Sequence, residues 1–132
     1  YYHDLIGYNY RMPNINTALA CAQLEKLLEI KRSKKRLYNE YMSIFNDIGV
    51  RLIEIPKDTD WNYWLISILF EKEKDRDFFL EKSNSKGLMT RPIWKLMYNL
   101  PMYKNCQKDS QVNAEFLSRR VVNIPSGIKI SY

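Results

Sequence analysis

The sequence predicts an α+β fold: a long N-terminal helix followed by a small, mostly antiparallel sheet with helices on one face. Three observations carry this. No proline or glycine interrupts residues 14–48, and apolar side chains recur there at three- and four-residue spacing. Residues 61–70 form a run rich in aromatic and β-branched side chains, the composition of a buried strand. Shorter apolar runs at 50–55 and 121–124 are bounded by glycine, proline and polar residues. A sheet that small must cover one face with helices to bury its apolar side.

Taken in order, the helix begins at Pro13, which has no N–H to donate and a φ already suited to a first turn. Its stripe is Ile15, Ala18, Leu19 and Ala22 in the first part, then Leu37, Tyr41, Ile44 and Ile48 in the second. The phase slips around residues 24–30, so two different bodies pack against it. Gly49 reads as its C-terminal cap. At about 1.5 Å per residue the span reaches roughly 50 Å, longer than a domain of this size needs to be wide. Part of the helix is therefore expected to lie against something outside this chain. Residues 50–55 alternate as a half-buried strand, and 56–60 are a polar turn. The next strand, 61–70, places Ile66, Ile68 and Phe70 on one face and Leu65 and Leu69 on the other, as a central strand would. Residues 71–86 carry Phe78 and Phe79 among charges at helical spacing, ended by Gly87. A third strand at 88–94 is broken by Pro92. After an irregular stretch at 95–108, Asp109 or Ser110 caps a short helix running to about Arg120. Residues 121–124 close with a fourth strand.

With 132 residues, 45% hydrophobic and 27% charged, the composition is that of one globular domain, not of a disordered segment. Much of the +6 net charge sits in Lys31, Arg32, Lys34, Lys35 and Arg36. A solvated helix face explains such a run; a nucleic-acid interface would need more basic and aromatic residues converging on it. Of the two cysteines, Cys21 lies among small helix residues where a buried free thiol is at home, and a reducing compartment is expected. No apolar run approaches the roughly 18 residues of a membrane span, and no secretory signal is apparent. The expectation is a soluble, cytoplasmic protein without membrane or nucleic-acid partners.

Little here supports catalysis. A single histidine, His3, leaves no spacing for a metal centre or a Cys/His pair. His3 and Asp4, adjacent in an extended segment, point to opposite sides. Four glycines form no phosphate loop. Lys95 is an amine nucleophile in principle, but nothing around it marks a desolvated lysine. Two places hold more polar and aromatic groups than packing requires. Gly7, Tyr8, Asn9, Tyr10 and Arg11 bring phenols, an amide and a fixed cation to the helix mouth, where unpaired N–H groups attract a phosphate. Thr90, Arg91, Pro92, Ile93 and Trp94 offer a guanidinium for a phosphate or carboxylate and an indole for a sugar or base. The plainer alternative makes Trp94 a core residue and pairs Arg91 with a surface carboxylate.

The wording of residues 3–27, HDLIGYNYRMPNINTALACAQLEKL, resembles the segment following the large domain in the DegT/DnrJ/StrS family of pyridoxal-phosphate-dependent sugar aminotransferases. NYWLISILF at 62–70, KGLMTRPIWKLMYNLPMYKNCQ at 86–107 and NAEFLSRRVVNIPSG at 113–127 continue the resemblance over nearly the whole chain. It is most similar to the branch acting on nucleotide-linked 4-keto-6-deoxy sugars with glutamate as amino donor, as in legionaminic-acid-type and other surface-polysaccharide pathways. Many relatives carry a histidine- and tyrosine-containing motif where this chain has Thr90 to Lys95.

The resemblance implies the small C-terminal domain of a fold-type I aminotransferase, active as a homodimer. Residues 1–12 would be the interface and cofactor-phosphate segment, 13–48 the interdomain helix, and 49–132 the small domain. Asn9 matches the family's asparagine that reaches the cofactor phosphate of the neighbouring subunit. Arg11 would join it, and Tyr8, Arg91 and Trp94 would face the substrate. The family's cofactor-bonding lysine lies upstream, so no catalytic residue is assigned, and this portion alone is expected to be inactive. The alternative from another class is a non-catalytic module that assembles through the early half of its helix, using Ala18, Ala20, Cys21 and Ala22 for close approach.

Overall fold

The computed structural model describes Tyr8 and residues 10–128. Gly7, Asn9, His3 and Asp4, all weighed above, lie outside the described residues. In chain order the elements are α1 (Asn14–Glu25), α2 (Leu27–Asp47), β1 (Arg51–Leu52), β2 (Ile66–Leu69), α3 (Glu73–Ser85), β3 (Arg91–Pro92), α4 (Val112–Ser118) and β4 (Val121–Ile124). Two 3-10 turns, Met97–Asn99 and Pro101–Tyr103, occupy the irregular stretch between β3 and α4.

The helical span predicted as one piece is divided at Lys26, whose φ of −96° and ψ of −1° keep it right-handed but at the edge of the helical region. The division falls where the apolar phase slips. On its far side Ile30 N–H bonds the Lys26 carbonyl at 2.9 Å and α2 begins afresh. The buried stripe of α2 is Leu37, Tyr38, Tyr41, Met42 and Phe45. Ile44 and Ile48, expected on that stripe, are exposed, because the helix turns the aromatic residues toward the sheet instead. Gly49, at φ +70°, ends α2: its N–H bonds the Asn46 carbonyl and the Val50 N–H bonds the Phe45 carbonyl, so two otherwise open carbonyls are closed.

All strand pairs are antiparallel, in the order β1-β2-β4-β3. Ile66 pairs with Ile124 and Ile68 with both Val122 and Leu52, so these five side chains share one face and form the core. Stripe residues of α2 and Phe79 and Leu80 of α3 pack against this cluster. On the other face Ser67 donates to Asn123 Oδ1 at 2.7 Å, and Leu69 is only half-buried. The strand expected over 61–70 is shorter than predicted. Tyr63 adopts φ +56°, which breaks the extended backbone, while its ring stays buried between Tyr38 and Trp61. Neither Asp109 nor Ser110 caps α4. Its N-cap position is Gln111, and the Asp109 carboxylate instead accepts the Ser110 N–H.

Candidate functional site

Two groups of predicted residues are placed by the fold. The first is the head of α1. Pro13 takes the N-cap position, among the described residues no side chain caps the first amides, and no acidic residue lies in the first turn. The positive end of the helix is therefore left open to an anion. Tyr8 and Tyr10 stack on each other just before it, with ring centroids 6.0 Å apart, and both are exposed. Arg11 is exposed too.

The second group follows α3. Gly87, at φ +78°, closes that helix as Gly49 closes α2, and the chain turns into β3 through a polar clamp. Thr90 is 2% exposed. Its hydroxyl meets that of Ser83 at 2.6 Å, Ser83 also donates to the Phe79 carbonyl, and Asn84 Nδ2 donates to the Thr90 carbonyl at 3.1 Å. Every hydroxyl is satisfied, so burial here costs little and the turn is rigid. That rigidity sets the direction in which Arg91 and Trp94 leave the sheet. Neither the clamp nor its consequence was visible in the sequence, where Ser83 and Asn84 look like ordinary helix-end polar residues.

Arg91 pairs in register with Asn123 and so stands on the sheet face away from the core. It is exposed, and among the described residues no carboxylate pairs with it, contrary to the plainer alternative. Trp94 is no core residue either, being 67% exposed. It lines a cleft of about 390 Å³ together with Arg76, Lys95, Asn99 and Ser118. Arg91 is not among the residues lining that cleft. Arg76 is held in this lining: it donates to the Arg119 carbonyl at 3.0 Å while meeting Glu73 and Asp77. Outside the lining, Tyr98 donates to Glu115 at 2.7 Å. Desolvation and that bond to Glu115 push the Tyr98 hydroxyl above its usual pKa, so it remains a neutral donor. Tyr8 finds its ring contact in Tyr10 and Trp94 in Trp64, so these substrate-side candidates form two separate groups in the contacts they make.

Much of the basic run on α2 is engaged within the chain. Lys31 pairs with Asp60 at 2.6 Å, Lys34 donates to the Ser126 carbonyl at 2.6 Å, and Arg36 approaches Glu40 at 4.0 Å. Burial lowers the Lys34 pKa. Cys21, expected to be buried, is exposed because α1 carries no buried residue, and Cys106 is exposed as well. Among the described residues no three His, Cys, Asp or Glu side chains gather as a metal site would require, and no helix is long and apolar enough to cross a membrane.

GDP-perosamine synthase of Escherichia coli O157:H7 is 34% identical over 126 residues, covering 96% of this chain and 34% of that protein. The GDP-perosamine synthase of Vibrio cholerae is 31% identical over 129 residues, covering 96% and 35%. This chain thus spans about a third of the length of these relatives. Among solved structures, a DegT DnrJ EryC1 StrS aminotransferase from Brucella abortus superposes with a TM-score of 0.80 at 22% identity, covering 96% of this chain and 34% of that one. PseC of Helicobacter pylori, an aminotransferase involved in the biosynthesis of pseudoaminic acid, gives 0.79 at 23% identity, covering 92% and 34%. These likenesses establish the fold as that of a portion of such aminotransferases. Residues 1–131 match the DegT/DnrJ/EryC1/StrS aminotransferase family, and the chain belongs to it.

Proposed function

We propose that this chain is the C-terminal, small-domain portion of a cytoplasmic, homodimeric aminotransferase that moves the amino group of glutamate to the keto carbon of a nucleotide-linked 4-keto-6-deoxy sugar for surface-polysaccharide synthesis. The observation that carries the reading is a family match over residues 1–131 in a chain spanning a third of relatives named GDP-perosamine synthase. Those names favour a GDP-linked sugar over the legionaminic-acid-type branch suggested by the motif wording alone. Residues 1–12 serve as the interface and cofactor segment, 13–48 as the interdomain helix and 49–132 as the small domain. The covalent step belongs to a lysine outside these 132 residues.

The head of α1 fits a phosphate group. Among the described residues no side chain caps its amides, no carboxylate opposes an anion in the first turn, and Arg11 precedes it by two residues. Asn9 and Arg11 would hold the phosphate of pyridoxal phosphate there. When bound, that cofactor supplies the electron sink for amino transfer. The chain's own residues bind and orient: Tyr8 at the cofactor end, Arg91 and Trp94 toward the sugar nucleotide.

A chimera tests this. The C-terminal third of the E. coli GDP-perosamine synthase is replaced by this chain, and conversion of the GDP-linked keto sugar with glutamate is followed by chromatography. Transfer of the amino group is expected, with Arg11→Ala lowering retention of the cofactor through gel filtration. A folded, dimeric chimera that transfers nothing would overturn the reading and favour the assembly-module alternative, which the exposed face of α1 supports. Amino transfer by the isolated 132 residues would overturn the placement of the lysine elsewhere.

A further inference from the structure

We propose that Trp64 and Trp94 together form a shelf for the base of the substrate's nucleotide, with Lys95 placed beside its diphosphate. This rests on the nucleotide-linked substrate proposed above and assigns its nucleotide half to a place, adding Trp64 and Lys95 to Trp94. The two indoles are thirty positions apart in sequence, yet their ring centroids lie 6.2 Å apart with 33° between planes. They are 62% and 67% exposed. Trp61, by contrast, meets Tyr38 at 5.4 Å and Tyr63 at 4.9 Å and serves packing.

Both exposed rings are carried by held backbone. The Trp64 N–H donates to Asn62 Oδ1 at 3.0 Å, and its carbonyl accepts the Ser126 hydroxyl at 2.8 Å. The left-handed turn at Tyr63 immediately precedes it. Trp94 leaves β3 just beyond the Thr90 clamp. Backbone already ordered in this way reduces the entropy lost on binding. Stacking of one base on an aromatic side chain strengthens binding by roughly 5- to 150-fold.

Charge selects the occupant. Of the two cations lining the cleft beside Trp94, Arg76 is met by Glu73 and Asp77, whereas Lys95 has no carboxylate partner among the described residues. The spare charge is therefore positive and lies next to the indole. A shelf of two rings with one spare lysine suits a single nucleoside diphosphate. A nucleic-acid strand would ask for a track of cations along its backbone.

The test titrates GDP into the 132-residue chain and follows the three indole N–H resonances by proton–nitrogen NMR. Those of Trp64 and Trp94 are expected to move while that of Trp61 stays. Trp64→Ala should weaken GDP binding about 10-fold. Lys95→Ala should weaken it about 5-fold while leaving guanosine binding unchanged. Both side chains are exposed, and the dispersion of the same spectra verifies folding of each variant. GDP that leaves both indoles unmoved, Trp64→Ala with undiminished affinity, or inorganic pyrophosphate binding as tightly as GDP would each overturn the shelf. In the chimera, Trp64→Ala should raise KM for the sugar nucleotide and spare kcat. An active chimera with unchanged KM sinks the shelf alone. An inactive chimera sinks the aminotransferase reading, and GDP titration of the isolated chain then still decides the shelf.

Discussion

Tyr38 is the most deeply buried link from α2 to the sheet. It is the buried residue of α2, it meets Trp61 edge-on at 5.4 Å and Tyr63 at 5.7 Å, and its hydroxyl donates to the Ile53 carbonyl at 3.4 Å. Burial, and then the charge of Glu54, raise its pKa above 10.0; burial does the same to Tyr41, which donates to the Pro125 carbonyl. In the unfolded chain these phenols lose their protons first. Their contribution to stability is therefore complete below pH 10 and is lost as pH rises through the raised folded values. Lys34 works in the other direction: with its folded pKa lowered by burial from 10.5, its penalty is relieved as pH rises through that window. Urea unfolding between pH 9 and 11 should show Tyr38→Phe losing less stability with rising pH than the parent. At neutral pH the same variant should cost less than about 1 kcal/mol, since only one long hydrogen bond goes. An unchanged alkaline slope would mean that Tyr38 ionises alike in both states.

Among the elements, those ended by local chemistry were the ones legible in the sequence. Gly49 and Gly87 were readable as caps because a positive φ at a helix end calls for a residue without a Cβ. Residues 121–124 were readable as a strand because a short apolar run meets Pro125. What escaped was set by tertiary packing. The strand at 61–70 begins only at Ile66, since the left-handed turn at Tyr63 is held by rings from α2 and from Trp61. Leu37 and Tyr41 of the expected α2 stripe pack on the core, but its other half was misplaced because Ile44 and Ile48 satisfy helical spacing as well as Tyr38 and Phe45 do. At the candidate site, Trp94 was legible as an aromatic beside a cation, but its partner Trp64 was not. Only the folded sheet and its flanking turns bring the two together. The cap at Gly49 can be tested. A Cβ there meets nothing within 4 Å, so Gly49→Ala pays only for left-handed backbone, about 1–2 kcal/mol. Chemical denaturation should show that loss, with Gly49→Asn recovering part of it. A neutral Gly49→Ala would mean that the end of α2 relaxes out of its double hydrogen bond.

For the whole molecule, surface area distinguishes a self-sufficient body from a portion of one. The chain exposes 11740 Å², against about 7,400 Å² expected for a compact monomer of its mass. Among the described residues α1 has none that is buried, although Ile15 is 77% and Leu19 61% exposed. Sheet, α2 and α3 share one core, so α1 adds apolar surface without adding to that core. An exposed apolar stripe of this kind is suited to burial against another surface. In the proposed enzyme that surface is the remainder of the protein and its dimer partner. Leu19→Glu separates the two situations. In the isolated chain it should change unfolding free energy by no more than about 0.5 kcal/mol, because the side chain touches no core. In the chimera the same carboxylate would be buried without a partner. Sedimentation should then show loss of the dimer, and amino transfer should fall with it. If Leu19→Glu destabilised the isolated chain instead, α1 would already be covered there by a second copy, and this surface would belong to self-association of the chain alone.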